Sequence, residues 1–470
     1  MQKSVLAEIV RSLSRKEIRE INKWLQSPAH NQREDVVRLF DFLIKNLPDA
    51  TQDEAMEKKR AWKAVFPGEV YDDARMRQVM YFLLKAVEEY LVFTDSMEDQ
   101  SKYLGALTKI YRVRKLDKAY RQSHRLGRDY LEKQPLRNGY YLMNAYFFDL
   151  EEYNHRLPIS QNAPVNLQES ADALEKWFLA EKLRIACAMI AHRNVFQKIN
   201  YESGLLAETL AYIRDNGLLD QPAIAAFYYA YLAITNPEEE SYFDQLEKLL
   251  HSNILQFDHS EARVLYIAAI NYCVAKINQG GPDFPRRAFL FYQTGLETGI
   301  LLDTNSISRY TFGNAVVSAL RIREFGWAEQ FIEKFQHFLE EKERKSMVHF
   351  NLARLYFEKG DYGKAQQLLT KFEYDDMVLN LVAKTMLLKI YYEESEFGAY
   401  ESLLESMRTY LQRKEAISPN HRSLYKNFLS IMRKLIHLNP YSKAQKEKFR
   451  ALVLETNPLL EKDWLLKQVS

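Results

Sequence analysis

The chain has 470 residues, 47% hydrophobic and 27% charged, the proportions of a folded globular protein rather than a disordered one. Its 65 basic groups against 63 acidic ones leave a net charge of +2, too little to demand nucleic acid or an anionic membrane as partner. Two cysteines, Cys187 and Cys273, exclude a disulfide scaffold and fit a reduced compartment, and their apolar surroundings predict buried, inert thiols.

Residues 1–100 read as a separate cluster of shorter helices, broken at Ser27 and Pro28, at Leu47 and Pro48, and at Pro67 and Gly68. Lys3, Glu8, Arg11, Arg15 and Lys16 interrupt the first apolar residues, so no secretory core is expected. Ser14 with Glu17 makes a capping box that opens a helix through Trp24. Trp62, Val65 and Phe66 close another helix before Pro67. Asp72 and Asp73 then open a long one carrying Met76, Val79, Met80, Leu83, Leu84, Val87 and Leu91 at three-and-four spacing.

From 101 to 440 helical hairpins are predicted to follow one another, with pairs at 103–131, 221–250 and 262–298. The first pair carries a basic face. Lys118, Arg121, Arg125 and Arg128 fall within an arc of about 80° at 100° per residue, with Arg114 just before them. Over 109–137, ten basic residues meet three acidic ones, a stripe suited to RNA phosphates or an acidic protein surface. A proline-containing connection at 156–168 reads as an insertion, and Gly280 to Pro282 mark a second break. The apolar run 262–277 is cut by Arg263, Asn271 and Lys276, below the roughly 20 residues that span a bilayer.

Catalytic motifs do not emerge: there is no Gly-rich phosphate loop, paired-histidine zinc motif, Cys-x-x-Cys pair or nucleophile elbow. His251 and His259 read as surface or capping groups rather than metal ligands, and Asp375 with Asp376 as a helix cap. No catalytic residue, metal or cofactor is assigned.

The most informative stretch is 350–372. Ala353 and Ala365 supply small residues where two helices touch, Gly360 can end the first helix in the left-handed region, and Asp361 can cap the second. Leu352, Tyr356, Leu368, Leu369 and Phe372 form facing apolar stripes that one hairpin cannot bury alone. Tyr391 follows Tyr356, and Tyr400 follows Ala365, at the same offset of 35 residues. Tyr400 departs from a small residue, so the second hairpin is expected to splay or repack. A looser preceding copy places Asn314, Ala315, Ala319, Phe325, Ala328, Ile332 and Phe335 in register, without the Gly-Asp turn.

On these residues, 309–407 resembles the tetratricopeptide family, whose repeat is about 34 residues. The segments 178–187 and 457–466 also look like parts of uncharacterised bacterial all-helical proteins, which bring no known activity. The expected fold is all-α: a right-handed superhelical solenoid of antiparallel helix hairpins over 101–440, with the N-terminal helical cluster before it and two closing helices in 441–470. The resemblance implies an inner face lined by first-helix residues: Asn314, then Phe350, Asn351, Arg354 and Phe357, then Met386, Lys389 and Tyr392. In that family an inner-face asparagine often holds a peptide backbone, which suits Asn314 and Asn351. The two-lysine, two-asparagine clamp for a terminal carboxylate is not reproduced. The function expected is a non-catalytic scaffold or adaptor of the bacterial cytoplasm that captures a peptide or helix of a protein partner, with no membrane involved. An RNA- or ribonucleoprotein-associated factor using the basic stripe is the alternative.

Overall fold

A computed structural model describes residues 3–46, 57–158, 164–195, 199–303, 306–370, 377–413 and 419–469. Leu47 and Pro48, the middle of the 156–168 connection, Phe372, and Asp375 with Asp376 lie outside the described residues. Among those residues the fold is all-α, with 23 α-helices and no strand beyond an isolated Asp303 to Ser306 bridge. The chain divides into two compact units, 1–181 and 182–470.

In the first unit, α1 (Val5–Ser12), α2 (Arg15–Gln26), α3 (Glu34–Asn46), α4 (Lys58–Val65) and α5 (Asp73–Glu98) enclose one core of Leu6, Ile21, Leu39, Phe40, Trp62, Val79 and Leu83. The capping box forms as the sequence dictates: the Ser14 hydroxyl accepts from the Glu17 amide, and the Glu17 carboxylate accepts from the Ser14 amide at 2.6 Å. These bonds hold the Glu17 carboxyl below its ordinary pKa. Asp72 caps α5 by accepting from the Ala74 and Arg75 amides. Then α6 (Gln100–Val113), α7 (Asp117–Lys133) and α8 (Gly139–Arg156) pack around Leu104, Leu131 and Phe148. Two glycines permit this approach, since Gly105 faces Phe147 and Gly127 faces Phe148. The division between units falls within α9 (Leu167–Val195).

The second unit continues with α10 (Leu206–Asp215) and the pairs α11 (Pro222–Thr235) with α12 (Glu240–Asn253), and α13 (His259–Asn278) with α14 (Phe284–Glu297). Next come α15 (Arg309–Arg321) with α16 (Phe325–Phe335), α17 (Glu341–Lys359) with α18 (Tyr362–Thr370), and α19 (Met377–Glu393) with α20 (Phe397–Arg413). Last are α21 (Pro419–Ile436), α22 (Lys443–Glu455) and α23 (Lys462–Lys467). First helices also pack on one another, α15 against α17 and α17 against α19.

One turn recurs through both units. Lys115, Gly280, Arg323, Gly360 and Ser395 each have positive φ. In each case the next amide bonds to the carbonyl five residues back: Leu116 to Tyr111, Gly281 to Lys276, Glu324 to Ala319, Asp361 to Tyr356 and Glu396 to Tyr391. This is the helix-ending geometry that satisfies the last carbonyls. Glycine is therefore dispensable there, and Arg323 holds the turn in the copy whose sequence had lost the Gly-Asp pair. Ala315, Ala319, Ala328, Ala353 and Ala365 are all fully buried where helices meet. Tyr400 is buried too: α20 repacks so that its hydroxyl donates to the Met432 carbonyl at 2.7 Å, tying α20 to α21.

Candidate functional site

Helices α17, α19 and α21 assemble, with the segment after α22, a polar cluster in the second unit. On α17, every third or fourth residue turns to the same side, which brings Phe350, Arg354 and Phe357 together. The Arg354 guanidinium lies over the Phe350 ring at 4.3 Å. On α19 the same spacing aligns Met386, Lys389 and Glu393, with Tyr392 beside them.

Burial corrects part of the expected inner face. Phe350 and Asn351 are 1% and 0% exposed, and Met386 and Lys389 are also buried, so none of these four lines an open surface. Phe350 and Met386 belong to the core that packs α17 on α19, because a face shared by adjacent hairpins must bury its large side chains. Asn351 is taken up by packing on α15 near Gly313, which leaves room for its amide. Its Nδ2 donates to the Met347 carbonyl at 2.8 Å, whereas Oδ1 is buried with no hydrogen-bond donor. Arg354, Phe357 and Tyr392 are half-buried, and Asn314 is exposed on α15 beside the Tyr292 hydroxyl.

What covers Lys389 is the segment 456–469. Its ammonium donates to Glu461 Oε2 at 2.7 Å and stands over the Phe357 and Trp464 rings at 4.5 and 5.5 Å. Next along α19, Glu393 Oε1 accepts from Trp464 Nε1 and from Gln468 Nε2, both at 2.9 Å. Tyr392 meets the Trp464 ring edge-on at 5.6 Å. From α21, Asn427 donates to the Pro458 carbonyl at 2.9 Å. Leu465 and Val469 anchor the segment in the core formed by α19, α20 and α21. Full burial of one such leucine contributes about 1.5–3 kcal/mol. Sequence reasoning named Lys389 and Tyr392 but missed Glu393, Asn427, Glu461, Trp464 and Gln468. Their partners lie 31 to 75 residues away, a separation that leaves no periodic trace.

The basic face lies in the first unit. Arg114, Lys118, Arg121 and Arg125 are exposed and, among the described residues, form no ion pair. Arg128 is corrected: it is committed to Asp149 at 2.7 Å, just as Arg112 is to Glu151. Tyr120 is buried, donates to the Glu151 carbonyl and stacks on His155 at 3.8 Å, so it offers no face to a base.

Elsewhere the reactive groups are quiet. Burial pushes the Cys187 and Cys273 thiols up to about 12. His251 stacks on Phe291, while His259 bonds to the Gly299 carbonyl, so the two act separately. Among the described residues, no three or more His, Cys, Asp and Glu side chains gather as a metal site would require, and no helix is long and apolar enough to cross a membrane. Compared with known proteins, the chain matches no family model, no curated protein and no solved structure.

Proposed function

We propose that this chain is a non-catalytic protein-interaction scaffold, a tetratricopeptide-like solenoid whose inner helices take up a short helix or peptide from a protein partner in the bacterial cytoplasm. The observation that carries this reading is the seating of the segment 456–469, helical over Lys462–Lys467, against Lys389, Tyr392 and Glu393 through an ion pair, an indole hydrogen bond and aromatic contact. Those are the contacts with which helix-binding grooves capture ligands: a few anchored side chains with polar groups that set orientation. The succession of hairpins with one recurrent turn supports the solenoid part of the reading.

The test is capture from host lysate by the immobilised chain after nuclease treatment, repeated with an Arg354→Glu, Tyr392→Ala double variant. A protein retained by the parent chain and lost from the variant, with helicity and melting temperature kept, is expected. Equal capture by both chains would remove the inner face from consideration. A second reading, an RNA- or ribonucleoprotein-associated factor, is favoured by one specific observation, the exposed cations Lys118, Arg121 and Arg125 along one side of α7, with exposed Arg114 at the end of α6.

A further inference from the structure

The turn between α6 and α7 shares its backbone with the turns at Gly280, Arg323, Gly360 and Ser395 but carries different residues. Two positions before the left-handed residue those four have Asn278, Arg321, Glu358 and Glu393, all polar, where this one has Val113. One position after it, the turns that lead straight into the next helix have the acids Glu324, Asp361 and Glu396, and Asp361 caps by accepting from the Lys364 amide. Here that position is Leu116, which can accept nothing and leaves the start of α7 without a side-chain cap. Both aliphatic residues face solvent: Val113 is 65% and Leu116 47% exposed, and Ile110, one turn before Val113 on the same side of α6, is 46% exposed. The turn thus gives up a cap and keeps three aliphatic side chains in water, where they add little to the core.

Cations flank those three in sequence. Lys109, Arg114, Lys115, Lys118, Arg121 and Arg125 are exposed and, among the described residues, form no ion pair. Over 109–125 the one acid is Asp117, which His155 Nε2 meets at 3.2 Å. The anion that fits this end must therefore come with an apolar phase close behind it. RNA supplies the charge alone, and its bases would need an aromatic face, whereas Tyr120 is buried and Tyr111 half-buried. A second copy of the same end would bring like charges together. An anionic lipid leaflet has both parts in the required order, phosphates outside and acyl chains beneath, and it holds a protein stably where a basic cluster is joined to an apolar insertion.

We propose that the α6–α7 end of the first unit docks on an anionic lipid surface, with Ile110, Val113 and Leu116 entering the headgroup layer and the six cations meeting lipid phosphates. The contact is peripheral, since no helix among the described residues is long and apolar enough to cross a membrane. It does not rest on the scaffold reading, and it departs from the expectation that no membrane is involved. Each cation close to such a surface strengthens partitioning roughly fivefold, so three of them contribute about a hundredfold.

The test is sedimentation of the full chain with vesicles of phosphatidylcholine alone or mixed with phosphatidylglycerol in equal parts. Binding to the mixed vesicles and not to the neutral ones is expected. A Val113→Gln, Leu116→Ser chain keeps all six cations and gains a capping serine, so its melting temperature should hold or rise while vesicle binding falls about tenfold or more. A Lys118→Gln, Arg121→Gln, Arg125→Gln chain should lose about a hundredfold. No sedimentation of the parent chain with mixed vesicles overturns the proposal. Equal binding by the parent and the Val113, Leu116 variant also overturns it, because charge would then act alone. A single-stranded uridine oligonucleotide is the control: RNA binding that survives the Val113, Leu116 change, with no vesicle binding, gives the cations to the RNA reading and overturns the lipid assignment. A lysate protein retained through Val113 and Leu116, with no vesicle binding, makes the partner an acidic protein and overturns it likewise. Should the variant not fold, hydrogen exchange of the parent chain decides: mixed vesicles must slow the amides of 109–118 and leave α13 unchanged, and no slowing overturns the inference.

Discussion

Gly127 faces the Phe148 ring so closely that a Cβ built there stands 2.4 Å from the ring's Cζ. Phe148 is fully buried and cannot swing aside. Alanine's helix propensity gains about 1 kcal/mol over glycine, but overpacking a closed core costs typically 1–3 kcal/mol and here also displaces a ring. Gly127→Ala is expected to destabilise the chain by about 1–2 kcal/mol net in urea unfolding, and a stabilised variant would show that α7 and α8 do not meet as described. Asn351 illustrates the opposite difficulty for sequence reading. Its type and position suit a peptide-binding asparagine, yet a small residue on the preceding first helix decides that it is buried, and Gly313 sits 38 positions upstream with no motif around it.

At the level of elements, helices and their caps were legible because they rest on local chemistry. The Ser14 and Glu17 box, the Asp72 cap, the Ala353 and Ala365 contact and the Gly360 turn all involve residues near one another in sequence. The turns at Lys115, Arg323 and Ser395 were not legible, since no side chain announces a left-handed residue other than glycine or asparagine. Those three positions carry a backbone cost that glycine lacks, about 1 kcal/mol each, partly offset by glycine's greater freedom when unfolded. Arg323→Gly and Ser395→Gly should therefore each raise stability by roughly 0.5 kcal/mol, read as a higher urea midpoint at unchanged slope, and at least not lower it. Alanine at either site should destabilise relative to glycine. A glycine variant less stable than its alanine counterpart would contradict the turn assignment.

For the whole molecule, a net charge of +2 conceals a sharply local excess, which only position along the chain reveals. Among the described residues Arg114, Lys118, Arg121 and Arg125 form no ion pair, whereas Arg128 is held by Asp149. If the RNA reading holds, four contacts to single-stranded phosphates give a slope of log affinity against log salt near about −2.8, from about −0.7 per contact. Arg121→Ala should reduce the slope by roughly one contact's worth, whereas Arg128→Ala should not change it. A flat response disposes of that reading. The long-range ties of the second unit are the part of the molecule that no local pattern encodes, and the pair joining Lys389 to Glu461 is the clearest of them. The carboxylate next along α19 has its own consequence. A single oxygen of Glu393 receives Trp464 and Gln468, residues four apart that stand about 6 Å from each other along the axis of an α-helix. In an extended chain the same two would be separated by more than 13 Å, beyond the reach of one atom. Glu393 thus acts as a gauge of helical pitch: a proline placed between the two donors should cost the chain both bonds even with every contacting side chain intact.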